Sequence, residues 1–147
     1  MEIKQVTGKS GAVFEDALAI RLAVFVREQG VPEALEKDND DAIATHYVGY
    51  VAGQPVVTLR TVLTDQRLHI QRVATIQSAR HHGYAATLMT HVLDQAQAND
   101  HVQSAYLGAQ LTALGFYDRL GFTPHGDVFE EAGIMHREMV KSLNIEE

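Results

Sequence analysis

Between Leu68 and Ala96 the hydrophobic period of the chain changes from two to about 3.6 across one short basic turn, a switch that only a strand–turn–helix unit satisfies. Leu68 to Ile76 is short and β-branched, with apolar residues in alternate positions, as a half-buried strand requires. Ala85, Leu88, Met89, Val92, Leu93 and Ala96 then recur at three- and four-residue steps, with Thr87, His91, Asp94 and Gln95 on the opposite side. The joint is Arg80-His81-His82-Gly83-Tyr84-Ala85. The first turn of a helix carries backbone N–H groups without internal partners, and the macrodipole makes that end electropositive. Such a turn binds anions. Gly83 with the small Ala85 and Ala86 would let a phosphate approach the backbone, and Arg80 adds a fixed positive charge. The alternative is a purely structural turn, with Gly83 as the turn glycine and Arg80 as a solvated charge. A dinucleotide-binding fold lacks its G-x-G-x-x-G, and a P-loop lacks its Gly-Lys-Ser/Thr.

The spacing Arg80-x-x-Gly83-x-Ala85, after a Val73-Ala74-Thr75 strand and before a Leu88-Met89 helix, resembles the acetyl-CoA signature of the GNAT superfamily of N-acetyltransferases. The resemblance implies that Arg80, His81, His82, Gly83, Tyr84, Ala85 and Ala86 wrap the pyrophosphate of coenzyme A. It also implies that the backbone of Val73, Ala74 and Thr75 holds the pantetheine arm. A second stretch, Gln110 to Phe122, is similar to the family pattern Asn-x-x-Ala-x-x-x-Tyr-x-x-x-Gly-Phe, with Gln110 in place of the asparagine and Ala113, Tyr117, Gly121 and Phe122 matching. Two independent patterns in the right order, separated by the expected strand, carry far more weight than either alone. Val24 to Pro32 resembles the opening of the ElaA-like or YjcF-like subgroup, where this segment forms one wall of the acceptor site. Glu28 and Gln29 are the substrate-binding candidates there, against a plain core helix with charged residues on its solvent face.

A chain of 147 residues suits one domain, here the whole of 1–147. Nineteen acidic against twelve basic residues give a net charge of −7, which argues against nucleic acid as a partner and is compatible with a cationic amine. Without cysteine there is no disulfide, no cysteine nucleophile and no thiolate metal site. Met1 to Gln5 has no apolar signal core and no run is long enough to span a bilayer, so a cytoplasmic protein without membrane attachment is expected.

Along the chain, Glu2 to Thr7 reads as a strand. Ala12 to Gln29 reads as a helix with Phe14, Leu18, Leu22, Phe25 and Val26 on one face, Arg21 on or beside that face, and Gly30-Val31-Pro32 as its stop. Glu36 to Asp41 is an acidic run without the ligand layout of a calcium loop. It is expected to be a solvated loop, with an electrostatic lure for an amine as the alternative. Strands follow at Ile43–Ala52, Pro55–Leu63 and Arg67–Ile76, the first two junctions short enough for hairpins. After the long helix come a strand at Val102–Leu107, a short helix at Leu111–Leu120, and strands at Phe122–Phe129 and Met135–Val140. Tight turns join antiparallel strands and a helix crossover joins parallel ones. The expectation is therefore an α/β (α+β) GNAT fold, a mixed, mostly antiparallel sheet of six or seven strands flanked by helices. An exposed edge at the C-terminal strands suits a homodimer.

The resemblance implies acetyl-CoA as cofactor and Tyr117 as the group acting at its sulfur. An amine attacking a thioester expels a thiolate whose conjugate acid has a pKa of about 8.5, and a phenol close to it can stabilise or protonate it. The bland reading of Tyr117 is a packing aromatic that anchors the short helix. The amine must lose a proton, and Glu28, His46 and His136 are the candidates for taking it or touching the acceptor. Of these His136 resembles a histidine near the acceptor site of the ElaA-like subgroup. Many family members hold a glutamate base near position 71, whereas Gln71 cannot take a proton. Direct transfer in a ternary complex is the preferred mechanism, no cysteine being available to carry the acyl group, with a serine or threonine acyl-enzyme as the alternative that no residue nominates. Adjacent His81 and His82 without an H-E-x-x-H pair do not suggest a metal. The competing function is a CoA-binding regulatory module without turnover. Small amines, polyamines, amino sugars, peptide N-termini and lysine side chains all satisfy the acceptor.

Overall fold

The computed structural model describes residues 1–143. Its elements are β1 (Glu2–Thr7), α1 (Ala12–Arg21), a π-helical continuation (Leu22–Glu28), α2 (Glu33–Glu36), β2 (Thr45–Val51), β3 (Gln54–Thr64), β4 (Arg67–Thr75), α3 (Tyr84–Gln97), β5 (Ser104–Gln110), α4 (Leu114–Arg119), β6 (Thr123–Glu131) and β7 (Ile134–Ser142). The seven strands form one sheet in the order β1-β2-β3-β4-β5-β7-β6. It is the mixed, mostly antiparallel sheet expected. β4 and β5 run parallel, pairing Arg67–His69 with Ser104–Tyr106, because the α3 crossover lies between them, while β1–β2, β2–β3, β5–β7 and β6–β7 are antiparallel. Ala52-Gly53, Asp65-Gln66 and Ala132-Gly133 all have positive φ, the backbone of the tight turns that match strand twist in hairpins.

The chain divides into two compact units, Met1–Val62 with Arg72–Met89, and Leu63–Gln71 with Thr90–Glu147. In the first, Ala17, Ile20 and Val24 pack against Val48, Tyr50 and Ala74. The expected helix face of Phe14, Leu18, Leu22, Phe25 and Val26 is corrected to Phe14, Ala17, Ile20, Arg21 and Val24. Ala17 replaces Leu18 already within α1, and past Arg21 the hydrogen bonds lengthen to five residues, as in Gln29 N–H to Val24 O at 3.0 Å, so a 3.6-residue periodicity misplaces Leu22, Phe25 and Val26. In the second unit the α3 stripe sinks as its spacing predicts, with Val92, Leu93 and Ala96 buried, and Tyr117 and Phe122 meet edge to face at 6.0 Å.

The acidic run departs furthest from expectation. It is not a solvated loop: Glu36 ends α2, Asn39–Ala42 forms a 3₁₀ turn, and Glu36 and Asp41 are 2% and 3% exposed. Arg21, itself 1% exposed, bonds Glu36 through Nε and Asp41 through Nη1 at 2.8 Å. Arg60 reaches Asp41 at 2.7 Å and grips Asp38 with two bonds at 2.8 and 2.7 Å. Carboxylates that look solvent-facing in sequence are drawn inward because buried arginines on α1 and β3 require them.

Candidate functional site

The turn between β4 and α3 is built from two left-handed residues, His81 at φ +68° and Gly83 at φ +77°. The Gly83 carbonyl accepts the first helical bond, from Thr87 N–H at 3.0 Å, and a second from the Thr87 hydroxyl at 3.1 Å. The N–H groups of Tyr84, Ala85 and Ala86 therefore head a fourteen-residue helix without helical acceptors of their own. A Cβ on Gly83 would meet nothing within 4 Å, so the space over this turn is open and the glycine is there for its backbone angle. His81 and His82 are exposed, His82 stacking on Tyr84 at 5.4 Å.

Arg80 is tied to both neighbours of the turn. Its Nε donates to the Thr75 carbonyl at 3.1 Å, fixing the turn to the end of β4, and its two terminal nitrogens take both carboxylate oxygens of Glu28. The Thr75 carbonyl keeps a second lone pair, and Val73 and Thr75 are half-buried on either side of buried Ala74. The hydrogen bond from Arg80, with its charge, holds the Glu28 carboxyl below its ordinary range. Glu28 closes the π-helical segment and Gln29 follows it, exposed.

His46 is misplaced by the sequence reading and is corrected here. It is fully buried, its Nε2–H donates to the Asp41 carbonyl at 3.0 Å, and its ring meets Phe14 edge to face at 4.9 Å. Its Nδ1 is buried without a hydrogen-bond partner among the described residues. Burial and then the nearby Arg21 and Arg60 charges outweigh Asp41 and push its pKa down. A ring sealed in this way holds the core together and offers an acceptor nothing.

In the second unit, Gln110 ends β5 and lies directly opposite His136 of β7, which is opposite Phe129 of β6. His136 donates Nδ1–H to the Ile134 carbonyl at 2.7 Å and stacks on Phe129 at 5.7 Å. Pinning Nδ1 leaves Nε2 as the lone-pair nitrogen of the neutral ring. Tyr117, on α4, is 8% exposed, and burial pushes its phenol well above the ordinary value. Gly121 sits at φ +94°, so the glycine of the second motif is required by its backbone angle, and Phe122 beside it is buried in the core.

Residues 8–143 match the family described as acetyltransferase (GNAT) domain. The chain belongs to the GNAT acetyltransferase family. Among GNAT relatives it is 31% identical to the uncharacterized N-acetyltransferase YjcF of Bacillus subtilis, over 95% of this chain and 99% of that one. It is 32% identical to protein ElaA of Escherichia coli over 86% of this chain and 85% of the relative. The crystal structure of E. coli ElaA superposes with a TM-score of 0.84 at 28% identity, covering 96% and 99% of the two chains. An acyl-CoA N-acyltransferase from Pseudomonas aeruginosa gives 0.84 at 26% identity, covering 95% and 98%. No helix of this GNAT chain, among the described residues, is long and apolar enough to cross a membrane.

Two groups escaped the sequence reading. Arg72, at φ +57° within β4, binds Glu36 and Asp38. His69 stacks on Tyr106 at 4.3 Å and meets Gln71 Nε2 at 3.2 Å, and Arg67 lies over the same Tyr106 ring. The available signal was strand parity: Arg72 continues the inward series Leu68, Ile70, Ala74, where an arginine needs partners.

Proposed function

We propose that the chain is a cytoplasmic, single-domain N-acetyltransferase moving the acetyl group of acetyl-CoA to a primary amine by direct attack in a ternary complex. The observation that carries this reading is the turn at the mouth of α3, where left-handed His81 and Gly83, open space and the Arg80 charge fit a pyrophosphate. In this reading Arg80 through Ala86 hold the pyrophosphate and the backbone of Val73 to Thr75 holds the pantetheine arm. Gln110, in the position of the motif's asparagine, would also contact the cofactor. When bound, acetyl-CoA supplies an activated acyl carbon and a thiolate leaving group. His136 Nε2 would take one proton from the acceptor ammonium, freeing the lone pair that attacks the acyl carbon, and solvent would take the second proton that the nitrogen loses as the amide forms. Tyr117 would donate a hydrogen bond to the sulfur as it leaves. Its raised pKa makes the phenol a weaker acid than a thiol, so Tyr117 stabilises the thiolate by hydrogen bonding and solvent completes the protonation. Gln29 would face the acceptor, whereas the Glu28 carboxylate, also expected there, has both oxygens held by Arg80.

Isothermal titration of acetyl-CoA and CoA into the protein tests the reading, beside the double variant Arg80→Glu/Gly83→Asp. Micromolar binding lost in the variant is the expected result. An absence of binding to either ligand removes the reading.

A further inference from the structure

Arg72 has φ +57° in the middle of a strand, a left-handed backbone that a long side chain adopts under steric strain and keeps only where its surroundings hold it. The surroundings are specific. Nη2 reaches Asp38 Oδ2 at 3.2 Å and the Leu35 carbonyl at 3.4 Å, and Nε lies 3.1 Å from Glu36 Oε2. That last contact has the distance of an ion pair without the alignment of a hydrogen bond, and Nε is otherwise buried and unpartnered among the described residues. Arg21 binds Glu36 and Asp41, and Arg60 binds Asp38 and Asp41, so three arginines meet three carboxylates with charges balanced. The residue that follows Arg72 is Val73.

We propose that Arg72 is a positioning residue: gripped by Glu36 and Asp38, it holds β4 in a left-handed kink that presents the Val73–Thr75 backbone to the pantetheine arm. The inference rests on the cofactor reading above. It makes the α2 segment and the acidic run part of the cofactor machinery, since their carboxylates set a backbone angle in another element. Released from its carboxylates, a residue with a Cβ at position 72 would relax toward regular strand geometry, turning the N–H and C=O groups that follow. Glycine would not relax in the same way, because left-handed φ carries no steric penalty for it.

Calorimetric titrations of acetyl-CoA and of 3′-phospho-ADP, the pantetheine-free nucleotide end of the cofactor, into wild type, Arg72→Ala and Arg72→Gly separate the possibilities. Arg72→Ala is expected to bind acetyl-CoA about tenfold more weakly and 3′-phospho-ADP within about twofold of wild type, the mark of lost preorganisation on one arm alone. Arg72→Gly is expected to recover most of the loss, although it removes the same contacts. Glycine performing no better than alanine, or both ligands weakening together, would show a merely structural role and overturn the proposal. If Arg72→Ala fails to fold by circular dichroism, Asp38→Asn, at a half-buried position, loosens the same grip. It should cost acetyl-CoA affinity about threefold and the fragment nothing, and unchanged acetyl-CoA affinity overturns the proposal. Wild type binding neither ligand instead removes the cofactor reading on which the proposal stands.

Discussion

The Glu28 carboxylate engages both terminal nitrogens of Arg80, the fork by which a guanidinium also takes a phosphate. One guanidinium cannot offer that fork to two anions at once. If Arg80 serves the pyrophosphate, Glu28 competes with it, and the Glu28→Gln variant, which keeps the shape and removes the charge, should bind CoA more tightly. Both side chains are about a third exposed, so the gain is that of a surface pair, about two- to fivefold in affinity, and it should shrink as salt is raised. Titration of CoA at low and high ionic strength reads both effects. Unchanged affinity would mean that the pair persists with cofactor bound.

Tyr117 makes a separate expectation. Its phenol is buried and its pKa lies above the ordinary value, so it remains protonated throughout the range in which an amine can be assayed. Tyr117→Phe should lower kcat by about a hundredfold, the scale of a lost general acid or oxyanion-type donor, with CoA affinity nearly unchanged. No fall in rate up to about pH 10 should trace to its ionisation. Stopped assays with acetyl-CoA and a panel of primary amines measure both, and equal kcat in the variant would return Tyr117 to a packing role.

The periodicities made the sheet and α3 legible because local pattern and tertiary burial agree there: Leu88, Met89, Val92 and Leu93 are all buried as their spacing requires. The turn before α3 was legible for a similar reason, since Gly83 must be glycine-like in backbone wherever it packs. The acidic run was not. Glu36 and Asp41 take their positions from Arg21 and Arg60, fifteen and twenty residues away in one case and nineteen in the other, and no local pattern encodes an ion pair across that separation. His46 failed likewise, because a histidine in an apolar strand looks the same whether it faces a ligand or a buried carbonyl. The strand at Val102–Leu107 came out as Ser104–Gln110, displaced toward the second motif, since Gln110 is still extended at φ −58°, ψ 142°.

The charge network predicts an acid response in two stages. Burial raises the Asp38 and Asp41 carboxyls, but hydrogen bonds and charge from Arg60, with Arg21 at Asp41 and Arg72 at Asp38, outweigh it and hold both below the ordinary 3.8. Their stabilisation is complete above that value and is lost as pH falls beneath it. His46 acts earlier: its folded pKa lies below the ordinary 6.5, so between the two values the unfolded chain binds a proton that the folded one refuses. Stability should fall as pH drops below about 6.5, with a slope of up to about 1.4 kcal/mol per pH unit for one proton. Urea unfolding of wild type and His46→Gln from pH 7 to 5 checks it. The variant should start less stable and lose that slope, and an unchanged slope would assign the proton to another group.

Arg21 tests what the buried charges are for. Its side chain is 1% exposed and its fork is shared between Glu36, through a carboxylate and a backbone carbonyl, and Asp41, through both carboxylate oxygens. Arg21→Met keeps most of the volume but leaves carboxylates that are 3% and 4% exposed short of a partner, and breaking a buried pair from one side costs about 3–5 kcal/mol. Lysine would restore the charge but not the planar fork, and its single ammonium cannot reach all four acceptors. Arg21→Lys should therefore recover only a minority of the loss seen in Arg21→Met, measured as the midpoint of urea unfolding at pH 7. Because Glu36 also holds Arg72, both variants should weaken acetyl-CoA binding beyond their share of unfolded protein. Full recovery by lysine would mean that charge balance alone, without the directed bonds, organises this part of the molecule.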